Sequence, residues 1–98
     1  MGQHTILLMQ PGTPSTRTYY DFADIAMCMK FMVELYEKKL KQLNPSMRKI
    51  TYDVKDIYNF MDTYKDICCL TQHENAYLPR DINWIKQKLF NYLKKQAA

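Results

Sequence analysis

Four aspartates crowd one stretch of the chain: Asp53, Asp56, Asp62 and Asp66. Carboxylates can relay a proton or hold a hard cation, but both tasks need the groups to converge on one point. Asp53 instead stands just before an apolar-periodic run, with Asp56 at its third position, the arrangement of a helix cap. Asp62 and Asp66 mark the solvated face and the exit of the same helix. His4 and His73 are the only histidines, and neither has a companion at ligand spacing. The three cysteines, Cys28, Cys68 and Cys69, include no CxxC pair. Their odd number speaks against a disulfide framework and fits a reducing compartment. Adjacent strand residues point to opposite faces, so Cys68 and Cys69 read as small packing groups and not as a metal pair. Gly2 and Gly12 are the only glycines, too few for a phosphate-cradling loop. No set of nucleophile, base and orienting group emerges. The residues therefore read as a non-enzymatic protein without metal or cofactor.

Binding chemistry is better represented. Tyr19, Tyr20 and Tyr77 lie in strand-like segments and could stack on bases. The net charge is +4, and all of it resides in residues 80–98, where Arg80, Lys86, Lys88, Lys94 and Lys95 face a single acid, Asp81. An RNA-binding module built on strand tyrosines and a basic final helix is thus the alternative function. Against it, the strands lack interleaved cations beyond Arg17 and contain no glycine-aromatic RNA motif, so direct nucleic acid contact is not the expected mode. Thr18-Tyr19-Tyr20-Asp21 fits an acid-directed kinase, making Thr18 a phosphorylation candidate whose added charge would disturb packing. Thr63 and Thr71 satisfy the same pattern. No apolar run approaches the length of a membrane span, and Ile6 stands where a myristoylation motif needs Ser or Thr.

The elements that would position these residues follow from periodicity. His4 to Gln10 reads as a strand, Pro11 to Ser15 as a turn, and Arg17 to Phe22 as a second strand. Asp21 to Leu43 reads as a long helix capped by Asp21 and ended by Asn44-Pro45. Its stripe is Ile25, Cys28, Met29, Met32, Val33, Tyr36, Leu40 and Leu43. Ile50-Thr51-Tyr52 approaches a second helix, whose face is Val54, Ile57, Tyr58, Met61 and Tyr64. Ile67 to Leu70 is a third strand, Gln72 to Asn75 a turn, and Ala76 to Leu78 a fourth strand stopped by Pro79. Asp81 caps a last helix with Ile82, Ile85, Leu89, Tyr92 and Leu93 inward, while Trp84 and Phe90 stand off that line. The order ββααββα predicts one α+β domain over 1–98, with a four-stranded antiparallel sheet and three amphipathic helices on one face.

That arrangement leaves a surplus. The first and third strands are apolar on both alternating sets, whereas the helices can cover only one face. The expectation is a homodimer through the sheets, burying about 1,600 Å² in total. Periodicity does not decide which alternating set faces outward, so the interface candidates are Ile6, Leu7, Leu8, Met9, Tyr19, Cys69, Leu70 and Tyr77. A second surplus is the line Met27, Phe31 and Leu35, rotated away from the stripe of the long helix. It suits a groove for a partner peptide.

Taken in order, HTILLMQP at 4–11, RTYYD at 17–21, YE at 36–37 with Leu40, NP at 44–45, ITYD at 50–53, FMD at 60–62 and WIKQK at 84–88 resemble the enhancer of rudimentary homologs. The resemblance runs from His4 to Gln96. It implies the same sheet, helices and sheet-mediated homodimer. It further implies an adaptor that binds short segments of otherwise disordered RNA-processing proteins, in splicing, transcript elimination or small-RNA biogenesis. The implied location is the nucleus, with the cytoplasm and perinuclear region also open. It points to Thr18 as the phosphorylated threonine. Met27 and Phe31 depart from the polar and very small residues expected in typical members, and the turn at 72–75 is shorter, marking a diverged member.

Overall fold

A computed structural model describes residues 3–46 and 52–97. Four strands form one antiparallel sheet in the order β2-β1-β3-β4: β1 is Thr5–Gln10, β2 Thr18–Phe22, β3 Asp66–His73 and β4 Ala76–Arg80. Among the described residues there are three α-helices, α1 at Ile25–Leu43, α2 at Val54–Asp62 and α3 at Ile82–Ala97, and one 3-10 turn at Pro14–Thr16. The expected α+β order is therefore observed. The approach Ile50-Thr51 lies outside the described residues.

Register fixes which side chains meet the helices. Leu7 lies between Tyr20 and Cys69, and Met9 between Thr18 and Ile67. Leu7, Met9, Ile67 and Cys69 are buried with Cys28, Met29 and Met32 of α1, Ile57 and Met61 of α2, and Ile85 and Leu89 of α3. One core thus holds all three helices on one side of the sheet. Leu7, Met9 and Cys69 cannot line the opposite face, which corrects their candidacy for a sheet interface: a register of period two sends them inward.

Local chemistry explains the boundaries. The cap of α1 is Asp24, whose carboxylate accepts from the Met27 amide at 2.8 Å. Asp21, the expected cap, is instead paired with Ile6 inside β2. Asn44 ends α1, its amide donating to the Leu40 carbonyl at 2.9 Å. Leu43, expected in the stripe, is 67% exposed because the last turn runs past the core. Asp53 and Asp56 form a reciprocal capping box on α2, at 3.1 and 3.0 Å. Tyr64, expected on the α2 face, follows the end of that helix and packs edge-on to Phe60. Asp81 caps α3 by accepting from the Trp84 amide.

The β3–β4 hairpin is tighter than expected. Both strands continue to His73 and from Ala76, leaving a two-residue turn at Glu74-Asn75 with Glu74 at a φ of 56°. Pro79 does not stop β4 but lies within it, opposite Leu70. Proline is accommodated there because β4 is an edge strand.

Candidate functional site

The side of the sheet that the helices leave open carries Ile6 and Leu8 from β1, Tyr19 from β2, Cys68 and Leu70 from β3, and Tyr77 and Pro79 from β4. Tyr19 is 62% exposed, Tyr77 41% and Leu70 37%. Leu8 is buried yet does not belong to the main core, since Tyr19 and Cys68 flank it on this second face. A continuous apolar surface across all four strands is what a partner surface needs.

Polar groups close both ends of that surface. At one end the His4 ring spans the sheet, with Nε2 3.1 Å from the Asp21 carboxylate and Nδ1 2.6 Å from the Tyr77 hydroxyl. The carboxylate can only accept, so Nε2 is its donor, and the ring links Asp21 to the Tyr77 hydroxyl. At the other end the Arg17 guanidinium donates to Gln10 Oε1 through Nε at 3.0 Å and a terminal nitrogen at 2.8 Å. Periodicity does not reveal these links, because each depends on which strands lie side by side.

The tyrosines separate accordingly. Tyr19 and Tyr77 face outward, but Tyr20 faces the helices and packs 4.7 Å from Phe31. Arg17 is committed to Gln10. The stacking platform of the RNA-binding alternative thus loses one of its three rings and the cation expected beside them. Thr18 is exposed and pairs with Met9, so it stands on the helix side of the edge strand. Its hydroxyl donates to the Thr16 carbonyl at 3.2 Å, and a phosphate on it would lie off the open face. Thr71 is buried and accepts from Arg80, so it is not a modification site.

The line along α1 divides. Met27 is 52% exposed, whereas Phe31 and Leu35 are half-buried against the core. Phe31 lies 4.7 Å from the Tyr20 ring and 5.3 Å from the Phe22 ring, covering edge strand β2. Phe31 therefore serves the fold by packing on Tyr20 and Phe22, and of the line Met27, Phe31 and Leu35 only Met27 stands clear of the core. Burial pushes the thiols of Cys28 and Cys69 up to about 12, with neighbouring cysteines adding to it, which makes both poor nucleophiles. Cys68 is half-buried on the open face. Among the described residues no three His, Cys, Asp or Glu side chains gather as a metal site, and no described helix is long and apolar enough to cross a membrane.

The sequence motifs meet in pairs in this fold. His4 and Gln10 of HTILLMQP bind Asp21 and Arg17 of RTYYD. Tyr36 and Glu37 meet Tyr52, whose ring is 5.1 Å from Tyr36 and whose hydroxyl donates to Glu37 at 2.8 Å. Asp62 of FMD pairs with Lys86 of WIKQK at 2.7 Å. The model of the enhancer of rudimentary family matches residues 1–98. The chain belongs to the enhancer of rudimentary family. It is 48% identical to an enhancer of rudimentary homolog of Arabidopsis thaliana, over 97% of this chain and 90% of that one. It is 43% identical to the protein enhancer of rudimentary of Drosophila virilis, over 96% and 93%. An enhancer of rudimentary homolog of Caenorhabditis elegans is 29% identical, over 92% and 90%.

Proposed function

We propose that this chain is a small, non-enzymatic adaptor that pairs with a second copy through the open sheet face and binds short segments of RNA-processing proteins, acting in the nucleus. The single observation that supports this reading is the apolar face of Ile6, Leu8, Tyr19, Leu70 and Tyr77, with every helix on the opposite side. A two-fold axis through that face covers it with the same residues of a second copy. Pairing also leaves the helices and their clefts free for partner segments, so one dimer offers each binding surface twice. Family membership adds to the reading, because the resemblance carries an adaptor role.

Sedimentation tests it. At micromolar concentration the wild type should run at twice the 11.8 kDa of the chain. Ile6→Glu, which places an unpaired charge in the middle of the face, should shift it to monomer, since a buried unpaired charge costs several kcal/mol. A wild type that is a stable monomer overturns the reading.

A further inference from the structure

We propose that the cleft between the first turns of α1 and the last turns of α3 is a docking site for an acidic peptide segment carrying one large apolar side chain. The proposal rests on the adaptor reading above and assigns it a surface distinct from the open sheet. The cleft has a volume of about 560 Å³. Its floor is Ile25, Met29 and Tyr92, and Ala26 leaves it open on the α1 side because a methyl group is all it contributes. Its rim is cationic: Lys88, Lys94 and Lys95 all border it.

Those lysines have no carboxylate partner among the described residues, whose only Lys–carboxylate pair is Lys86 with Asp62. Lys94 and Lys95 are exposed in the last turn of α3, where they also suit the helix dipole. Lys88 stands in the middle of the helix and has no such role; its ammonium lies 5.4 Å from the Trp84 ring. Asp24, next to Ile25 in sequence, turns its carboxylate to the Met27 amide as the cap of α1 and does not line the cleft. The cleft therefore presents an apolar floor with a cationic wall along its α3 side. An apolar side chain flanked by carboxylates complements both parts, and charge complementarity would speed and orient its arrival. Nucleic acid fits less well. A nucleic acid strand is held by successive aromatic platforms, and the cleft offers a single ring, Tyr92.

Amide chemical shifts of the isotope-labelled full chain provide the test. The probe is a short synthetic peptide of Asp and Glu around one Phe, compared with its Asn and Gln counterpart and with oligouridine. The acidic peptide should move Ile25, Ala26, Lys88 and Asn91, and do so less as salt is raised. Lys94→Glu/Lys95→Glu should weaken it by about tenfold or more, the effect of like charges brought together. Ala26→Glu should do the same while retaining the fold, because an acid in the first turn suits the dipole. Shifts confined to Ile6, Leu8 and Leu70, equal binding of the neutral peptide, the same cleft filled by oligouridine, or no binding at all would each overturn the cleft. Sedimentation of the same samples keeps the two readings apart: a dimer whose cleft stays empty refutes the cleft alone, and a monomer whose cleft takes the acidic peptide refutes the dimer alone.

Discussion

Phe31 occupies a position where the sequence suggests surface and the fold supplies cover. Its spacing from Met27 and Leu35 is legible, and so is its offset from the stripe of α1. What periodicity does not contain is the width of the sheet beneath, whose edge strand brings Tyr20 and Phe22 under that offset line. Truncating a half-buried aromatic that holds two others should be costly. Phe31→Ala should destabilise the fold by about 2 kcal/mol, below the range for a fully buried ring. In a domain of this size the melting temperature would fall by roughly 10 °C. Met27→Ala, one turn earlier and exposed, should stay within about 0.5 kcal/mol. Equal melting of the two variants would return Phe31 to the surface. The polar links of the open face are equally hidden in the sequence. Nothing in the spacing of His4, Asp21 and Tyr77 unites them until three strands align.

Among the elements, those with local signals were legible and those fixed by pairing were not. The capping box of Asp53 and Asp56 is visible in the sequence because it is made within one turn, and the structure contains it at the same residues. Its removal should be felt. Asp53→Ala should cost about 1 kcal/mol, seen as a lower denaturant midpoint with an unchanged slope. Asp21 and Asp24, in contrast, are both fit to cap α1, and only the pairing of Asp21 with Ile6 decides between them. The strands were found, but not their inward set, because β1 and β3 are apolar on both sides. Leu7, Met9 and Cys69 face the helices for a reason of register, which a single strand does not carry. The hairpin lengthened for a related reason: ladder bonds carried β4 through a proline that a local reading treats as a stop.

For the whole molecule, a sheet with helices on one side divides its apolar surface between a core and an open face. If that face is completed by a second copy, folding and association are linked, and stability depends on protein concentration. The melting temperature should therefore rise as the protein is concentrated, whereas Ile6→Glu, if it folds, should melt at one temperature throughout. Association of this kind must also know when to stop. Sheets grow at their edges, and an exposed edge is a template for endless addition. Counting outward from the two-residue turn, His73 with Ala76 and Thr71 with Leu78 are the hydrogen-bonded pairs, so Pro79 opposite Leu70 occupies a wide pair and turns its nitrogen away from β3. The rim of β4 thus lacks a donor where a newcomer strand would seek one. Pro79 makes the β4 edge a poor template for strand addition, so copies that pair face to face would not grow into a polymer from that edge.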